Sequence, residues 1–473
     1  AILVRALREL GARCDWYIPD RLGDGYGLTM AGVERLAARG TGLLLTADCG
    51  ITCIEAVATA QAAGLEVIVT DHHEPGELIP DCPILHPRLS SYPCGELCAT
   101  GVAYKLSAAL LGGERAADDL DLVALATVAD VAPLVGLNRA LVRQGLAVMA
   151  ARRRPGIAAL AEVGRVRGAL DAYALGFVLG PRVNAGGRVG AADLGARLLA
   201  TADPHEAAAL AARLDALNTA RRDIEAAVLV AAEAQVRARG ADGPLVWAAG
   251  EGWHPGVVGI VAARLAGEFH RPAVVVALDG ETGRGSARTV NGFHLERALA
   301  ACGSHLMAHG GHAAAAGIEV HRDRIDGFAA AFAREASTHM RDHDRRRKVA
   351  LDAVVPLDHL DTALLRDLER LAPHGQGNPA PLLASADLRV AGKPRPMGKT
   401  GNHVSFVVRD ASGASHRAVW FDGAARLEET LAADGGRLCL AYRPEADRWR
   451  GGGEIQLMVH DARPGAVAID GDA

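Results

Sequence analysis

The chain has 473 residues, of which 50% are hydrophobic and 23% are charged, a composition that is typical of a soluble protein of two to four domains. No apolar run is long and clean enough to cross a bilayer, and the net charge of −5 argues against a uniformly basic surface, although a local basic groove would suffice to bind nucleic acid. Eight scattered cysteines and the lack of a visible secretion leader predict reduced thiols, a cytoplasmic location and no contact with a membrane.

The first part of the chain predicts a parallel sheet. Apolar periodicity gives, in order, a helix over 1–14, a short strand over 16–19, a strand over 42–50, a helix over 53–63 and a strand over 65–73. Strand, helix and strand in this length form a βαβ unit. In such sheets, functional groups gather beyond the carboxyl ends of the strands.

The rest of the chain predicts three further regions. Residues 100–150 are mostly helical, and the Ala-rich stretch 203–239 predicts a long helix that connects two domains. Residues 244–278 form a second strand–helix–strand unit. A boundary lies at 343–355, and the alternating segments HVSFVVRD, HRAVWFD and EIQLMVHD beyond it predict a small barrel or sandwich.

Polar side chains at the predicted strand ends form the first candidate site: Asp48, Asp71, His72, His73 and Asp130. A lone Asp at a strand end is usually a cap or turn residue. Two such Asp residues one βα period apart, one of them in an Asp-His-His triplet, favour a metal site instead. Carboxylates and imidazoles suit ions such as manganese, and two ions held close together can activate water and neutralise charge on a phosphoryl group.

Two glycine-rich segments are candidates for binding phosphate. GPRVNAGGRVG, at 180–190, interleaves Arg182, Asn184 and Arg188 with small residues, which lets backbone and guanidinium groups approach a ligand closely. The alternative is a tight inter-domain turn with surface arginines. GRGSARTVNGF and GGHAAAAG place Ser286, Arg288 and His312 in loops that could cradle phosphate, or in simple turns between strands.

Other side chains give weaker signals. The basic clusters at 152–154 and 345–348 are typical of solvated helix ends or linkers. Trp253 is expected in the core, and Lys393, Arg395 and Lys399 in an exposed loop. The candidates for stacking on bases in the barrel, where aromatic side chains more often form the core, are Phe406, Trp420, Phe421 and Tyr442.

The motifs resemble a known family in their order along the chain. TADCGI, TDHHEP, HPRLSSYPCGELCATGVAYKL and ATVADVAPL are similar to successive motifs of the DHH phosphoesterase superfamily. GPRVNAGGRVGAADLG, GEGWHPGVVGIVAARL, GSART and GGHAAAAG narrow the resemblance to RecJ-type single-stranded-DNA exonucleases. PHGQGNPAPLL resembles the segment that leads into the oligonucleotide-binding barrel of that family. The resemblance covers nearly the whole chain.

The resemblance implies an α/β fold of four parts. These are a parallel-sheet DHH domain over 1–202, a connecting helix over 203–240, a second α/β DHH-associated substrate-binding domain over 241–342, and an oligonucleotide-binding β-barrel over 343–473.

It also implies roles for the site residues. Asp48 matches the carboxylate that bridges two metal ions, His72 and Asp130 match ligands of one ion, and His73 matches the imidazole near the scissile phosphate. Asp71 is expected to orient the histidines. The residues expected to contact phosphate are His73, Arg182, Asn184, Arg188, Ser286, Arg288 and His312.

One motif of the family is missing. An Asp-x-Asp-Gly segment after the first strand would lie just before Ala1, and the chain indeed starts with a helix that no strand precedes. We therefore expect the chain to be truncated, its two-metal site for Mn²⁺ or Mg²⁺ to be incomplete, and its metal binding to be weak.

The function that the resemblance implies is metal-dependent hydrolysis of single-stranded DNA in the 5′–3′ direction to nucleoside 5′-monophosphates, in DNA repair and recombination. The alternatives are a DHH-family oligoribonuclease or cyclic-dinucleotide phosphodiesterase, which usually lacks the barrel, and a non-catalytic DNA-binding relative. A monomer is expected, with single-stranded DNA as partner and, by resemblance, a single-stranded-DNA-binding protein and a helicase.

Overall fold

The computed structural model of the chain describes residues 1–19, 27–89, 91–290, 293–340, 348–398, 400–433, 435–447 and 454–465. The chain forms two compact units, 1–132 with 136–347 and 133–135 with 348–473. The basic cluster at 345–348, apart from Lys348, and the predicted loop residue Lys399 lie outside the described residues. The four-part division by residue number stays a prediction.

The first unit begins with a small parallel sheet. Its elements are α1 (Ile2–Glu9), α2 (Met30–Ala38), β1 (Leu43–Leu45), α3 (Ile54–Ala62), β2 (Glu66–Thr70) and β3 (Ile84–Leu85). The strand order is β1-β2-β3, with both pairs parallel. Val33 of α2 and Val57 of α3 pack with Val67 and Val69 of β2 in a buried core.

The strand predicted over 16–19 is wrong, since these residues form no regular structure. Their aromatic rings contact helices instead of joining the sheet. The guanidinium of Arg8 lies 5.8 Å from the ring centroid of Trp16, and that of Arg35 lies 5.4 Å from Tyr17. These aromatic side chains are therefore held by cation–π contacts with α1 and α2, and not by pairing with a neighbouring strand.

A helical region follows the sheet. It consists of α4 (Ala99–Leu111), α5 (Gly113–Ala116), α6 (Leu120–Ala129), α7 (Gly136–Ala150), α8 (Pro155–Val163), a π-helix (Ala174–Leu179), α9 (Gly180–Val189) and α10 (Leu194–Ala200). The segment 180–190 is therefore a helix and not a turn. Arg154 is not a solvated arginine, because its guanidinium pairs with the carboxylates of Asp119 at 3.0 Å and Asp121 at 2.7 Å.

The long helix predicted over 203–239 is confirmed as α11 (Pro204–Arg239). The carboxylate of Asp203 caps it by accepting from the His205 N–H. The helix contacts α8, α9 and α10, and also packs on the strand and helix that follow it. Its buried Glu225 pairs with Arg221 at 2.6 Å and with Arg264 of the next helix at 2.7 Å. The helix thus belongs to the core of both halves of the first unit.

The second half of the unit is a mixed five-stranded sheet with helices on both faces. Its elements are β4 (Val246–Glu251), α12 (Pro255–Phe269), β5 (Ala273–Asp279), β6 (Thr282–Arg288), α13 (Leu295–Ala301), β7 (Ala308–Gly311), β8 (Ala315–His321) and α14 (Ile325–His339). The strand order is β4-β5-β6-β8-β7, and only β4 and β5 are parallel. Trp253 is half-buried against the core on the α11–α12 face, which agrees with its predicted place.

Ser286 and Arg288 lie on a strand, so the loop predicted for them is wrong, whereas His312 lies in the turn between two strands, as predicted. GSART lies in and just after β6, and GGHAAAAG runs from β7 into β8. Small residues are needed for packing, because a Cβ on Gly285 would lie 2.8 Å from Cγ1 of Ile318. On β6, glycine therefore indicates close side-chain packing on a strand and not a turn.

The second unit confirms the predicted oligonucleotide-binding type of barrel. Its elements are β9 (Ala353–Val354), α15 (Thr362–Glu369), β10 (Leu383–Met397), β11 (His403–Arg409), β12 (Ser415–Trp420), α16 (Ala424–Ala433), β13 (Arg437–Ala446) and β14 (Ile455–Pro464). Pairing runs β11-β12-β14-β13-β10, and the β10–β11 pair closes the barrel. Phe406, Trp420 and Tyr442 are buried in its core and cannot stack on a base, whereas Phe421 is 57% exposed.

None of the helices among the described residues is both long enough and apolar enough to cross a membrane.

Candidate metal centre and phosphate-binding surface

Asp48 lies in a tight turn beyond the carboxyl end of β1. Its backbone N–H donates to the Thr70 carbonyl at 3.1 Å, which ties the turn to the end of β2. Asp48 has a φ of 67°, a left-handed conformation that Asp adopts more readily than most residues. The turn needs Gly50, because a Cβ there would lie 3.0 Å from the Thr46 hydroxyl. The Asp48 carboxylate is left exposed at the edge of the sheet.

Asp71 is buried at the end of β2 and organises the histidines beside it. Its carboxylate accepts from the N–H groups of Ile51 at 3.0 Å and His72 at 2.8 Å, and from Nδ1 of His73 at 2.7 Å. Burial opposes ionisation, but these hydrogen bonds outweigh it and lower the pKa of Asp71 to about 2. Because Asp71 is a carboxylate, the proton of the His73 ring lies on Nδ1, and Nε2 remains for another ligand.

The other predicted metal ligands converge on His72. Its Nε2 lies 3.1 Å from a carboxylate oxygen of Asp48 and 3.7 Å from one of Asp130, which ends α6. Adjacent ligands of an octahedral ion lie about 3 Å apart, since each bond is about 2.1 Å long. Asp48, His72 and His73 all offer ligand atoms within 4.8 Å of one another. The described residues therefore fit a divalent ion in both chemistry and spacing.

The electrostatics of this cluster also suit a cation. Burial, reinforced by the charge of Asp48 and opposed by His72, raises the pKa of Asp130. The hydrogen bond to Asp71 raises the pKa of His73 despite its partial burial. Burial and the charge of Asp48 disfavour ionisation of Asp130, so a nearby positive charge would stabilise its carboxylate.

His86 was missed by the sequence analysis. It is 4% exposed and follows β3, at the same sheet edge as Asp48 and Asp71. Its Nδ1 accepts from the Arg88 N–H at 3.1 Å, so its Nε2–H donates to the His73 carbonyl at 2.8 Å. His86 thereby holds the backbone that carries the histidine pair. The available signal was the apolar run that ends in His86 and Pro87, which is a third strand end.

His312 comes to the same site from the second sheet. Its ring lies 6.3 Å from the His73 ring, centroid to centroid, with an interplanar angle of 16°. The end of β7 directly before it requires glycine, because Gly311 has a φ of 146° and a Cβ there would lie 2.5 Å from the Ala315 carbonyl oxygen. Two segments far apart in sequence thus form one surface.

Ser286, Arg288 and Arg188 lie around the start of α12. The Arg288 guanidinium donates to the Ser286 hydroxyl at 2.7 Å, and a Cβ on Gly259 would lie 2.9 Å from that guanidinium. Arg188 donates to the Gly256 carbonyl at 3.2 Å, which brings the end of α9 against α12.

Arg182 and Asn184 have different surroundings although both lie on α9. The guanidinium of Arg182 is 15% exposed, pairs with Asp215 of α11 at 2.8 Å and donates to the Val178 carbonyl at 2.7 Å. Asn184 is exposed, one helical turn before Arg188. Asn184 and Arg188 therefore share one side of α9, whereas Arg182 is held against the long helix α11. The phosphate contact predicted for Arg182 stays a prediction.

Comparisons with known proteins agree with this arrangement. The family model described as the DHH family, N-terminal domain, matches residues 1–127, that of the DHHA1 domain matches 242–338, and that of the RecJ OB domain matches 351–461. The single-stranded-DNA-specific exonuclease RecJ of Dickeya dadantii (strain 3937) is 36% identical over 98% of this chain and 85% of its own length. The chain belongs to the RecJ family.

Another RecJ relative, from Bacillus subtilis (strain 168), is 34% identical over 98% of this chain, which spans 59% of that protein. The crystal structure of RecJ from Thermus thermophilus in complex with Mn²⁺ matches all of this chain and 68% of its own, with a TM-score of 0.85 and 32% identity. The Mg²⁺ complex of the same protein matches 98% of this chain and 65% of its own, with a TM-score of 0.75 and 31% identity. The RecJ fold predicted from the motifs is confirmed.

Proposed function

We propose that this chain is a metal-dependent exonuclease that hydrolyses single-stranded DNA in the 5′–3′ direction to nucleoside 5′-monophosphates. The observation that carries the proposal is the convergence of Asp48 and Asp130 on Nε2 of His72, at 3.1 and 3.7 Å, beside a His73 that is oriented by Asp71. Membership of the RecJ family supports it, because curated relatives are named single-stranded-DNA-specific exonucleases.

Asp48, His72 and Asp130 would hold the cofactor, a divalent ion such as the Mn²⁺ or Mg²⁺ of the Thermus structures. When bound, such an ion provides a nucleophile from water and neutralises charge on the phosphoryl group.

The remaining residues would bind and orient the substrate. His73 keeps Nε2 for a phosphate oxygen because Nδ1 is bound to Asp71, and its raised pKa favours the positively charged form beside an anion. His312 is near enough to act on the same phosphate. Arg188, Asn184, Ser286 and Arg288 would bind the neighbouring phosphates, since guanidinium and hydroxyl groups donate strong hydrogen bonds to them.

A nuclease assay across substrates tests the proposal. With Mn²⁺ titrated to millimolar concentration, a long single-stranded oligonucleotide with a 5′ label should release labelled mononucleotide, while its duplex, a dinucleotide and a cyclic dinucleotide should react more slowly. Asp48→Asn should lower the rate at least 100-fold, because a carboxylate ligand is lost. Asp118→Asn is the matched control, since Asp118 is exposed and its nearest ion pair, with Arg153, is 3.5 Å long.

Two results would contradict the proposal. Faster cleavage of the dinucleotide would indicate a small-substrate phosphodiesterase. Binding of single-stranded DNA without any Mn²⁺-dependent cleavage would indicate a non-catalytic relative.

The cellular setting is proposed from the same family membership. We propose a cytoplasmic monomer that acts in DNA repair and recombination, with a single-stranded-DNA-binding protein and a helicase as partners. Co-sedimentation of the purified chain with each partner, with and without single-stranded DNA, would test these contacts.

A further inference from the structure

Two stacked aromatic side chains stand out on the surface of the first unit. Tyr173 is 67% exposed and Phe177 is 71% exposed. Their ring centroids lie 5.0 Å apart at an interplanar angle of 27°. Together they present a broad apolar surface with open π faces. Covering this surface with a ligand would be favourable, because it removes apolar area from water.

The aromatic pair continues into the surface that carries Asn184 and Arg188. The π-helix that holds Phe177 runs directly into α9. The residues at 173, 177, 181, 184 and 188 recur every three or four positions and are exposed or half-buried, while Ala174, Leu175, Leu179, Ala185 and Gly186 on the other side are buried. One stripe therefore extends from the aromatic pair to Arg188, about 16 Å beyond Phe177 at the usual helical rise.

The same turn of helix lies against the end of α6, which supplies Asp130. A Cβ on Gly176 would lie 3.4 Å from Cγ1 of Val128, and one on Gly180 would lie 3.1 Å from Cβ of Ala129. The two glycines let the helices approach closely, one and two residues before Asp130. The helical segment that carries the aromatic pair is thus packed directly against the helix that ends at Asp130.

A loop with two arginines packs against the π-helix that carries Phe177. A Cβ on Gly164 would lie 2.6 Å from Cγ1 of Val178, so the loop after Gly164 lies beside the π-helix. Arg165 and Arg167 in this loop are exposed. Arg152 braces the loop by donating to the carbonyls of Val166 at 3.2 Å and Gly168 at 3.0 Å. Positive charge on a loop packed against the segment with these exposed aromatic faces suits a strand of nucleic acid better than an apolar protein surface.

We propose that Tyr173 and Phe177 form a platform on which bases of the single-stranded substrate stack, while its phosphates follow the stripe through Asn184 to Arg188. This inference rests on the proposed function and adds the residues that recognise bases without reading their sequence. Aromatic faces accept every base, which suits an enzyme that must move along any sequence. A duplex would not use the platform, because its bases are already stacked on one another.

The test compares two oligonucleotides of equal length, oligo-dT and a strand of abasic sites, by fluorescence anisotropy in EDTA so that no cleavage occurs. The double variant Tyr173→Ala/Phe177→Leu removes the π faces from exposed positions and retains some apolar area. It should weaken binding of oligo-dT at least tenfold and leave binding of the abasic strand unchanged, because the loss of a stacked base weakens binding by about 5- to 150-fold. Tyr173→Phe should bind like the wild type.

Val230→Ala is the control, because Val230 is an exposed apolar residue of α11, 69% accessible. It should leave the binding of both strands unchanged. Equal weakening of both strands by the double variant, or no weakening of either, would overturn the platform; the second result would leave the pair as a contact surface for protein. Failure of the wild type to bind oligo-dT at all would overturn the proposed function together with the platform. Thermal unfolding midpoints within 2 °C of wild type, roughly the shift from 1 kcal/mol in a domain of this size, would show that the variants are folded.

Discussion

Asp71 shows how a single buried carboxylate prepares the site. Its pKa is lowered to about 2 from 3.8, and that of its partner His73 is raised. The contribution of Asp71 to stability is therefore present above about pH 4 and is lost as the pH falls through 2, whereas that of His73 is present below its unfolded pKa of 6.5 and is lost as the pH rises through its raised folded pKa.

Asp71→Asn should destabilise the metal-free chain most between pH 4 and 6.5, where both contributions are present. We expect a loss of about 2 kcal/mol there, from the shift in the pKa of Asp71, and a smaller loss at pH 9. Urea unfolding in EDTA at pH 5.5 and 9 measures the difference. A loss of equal size at both pH values would show that His73 gains nothing from the carboxylate. Asp118→Asn should change stability at neither pH.

We expect His86 to act on the reaction through the His73 backbone and not through a contact with the substrate. His86→Ala removes the donor to the carbonyl of His73, the residue next to the proposed metal ligand His72. It should lower kcat and Mn²⁺ affinity by about 10- to 100-fold, as loss of a hydrogen bond that supports a metal site typically does. The dissociation constant for single-stranded DNA in EDTA should stay the same. His339→Ala, at an exposed site on α14, is the control. Weaker DNA binding with unchanged kcat would instead place His86 in the substrate site.

At the scale of elements, opposite sides of α9 have different roles, one in packing against α11 and the other in the proposed binding of phosphate. Arg182 ties it to α11 through Asp215, and Asn184 with Arg188 faces the other way. Helical periodicity separates the two sets, since residues two positions apart do not share a face. The salt dependence of DNA binding can distinguish an arginine that contacts phosphate from one that only stabilises the fold.

Arg188→Met should reduce the slope of log affinity against log salt concentration by about 0.7, the value for one lost contact with a single-strand phosphate. Arg182→Met should leave the slope unchanged and lower stability by about 1–2 kcal/mol, because it breaks a half-buried, charged hydrogen bond. The losses of stability caused by Arg182→Met and Asp215→Asn should not be additive in a double-mutant cycle, because both variants break the same ion pair. A reduced slope for Arg182→Met would confirm the phosphate contact predicted from the motif.

At the scale of the molecule, the sequence predicts those parts whose signals are local. The amphipathic pattern of α11 and the alternation in β11 and β12 each follow from a face that must be buried. β3 was not predicted, because a strand of two residues is too short to show a periodic pattern. β6 to β8 were not predicted as strands, because their small residues are required by packing against residues distant in sequence, such as Ile318 beside Gly285. The exposed pair at 173 and 177 escaped because a pattern of residue types does not reveal exposure.

The division of the chain into two units leads to a prediction for metal binding. All the described candidate ligands, Asp48, His72 and Asp130, belong to the first unit, and the barrel has a core of its own. An ion that binds only the folded site stabilises it by about 2.7 kcal/mol at 100 times its dissociation constant. Calorimetry should therefore show one transition that moves upward with Mn²⁺ and one that does not.

Core variants assign the transitions. Phe332→Leu, in the core between the second sheet and α14, should lower the transition that responds to Mn²⁺, and Phe406→Leu, in the barrel core, should lower the other. Each substitution should cost about 1 kcal/mol or more, because a large buried side chain is replaced by a smaller one. Asp48→Asn should abolish the Mn²⁺ response and leave the barrel transition in place. If Mn²⁺ shifted both transitions equally in the wild type, independent unfolding of the two units would be ruled out.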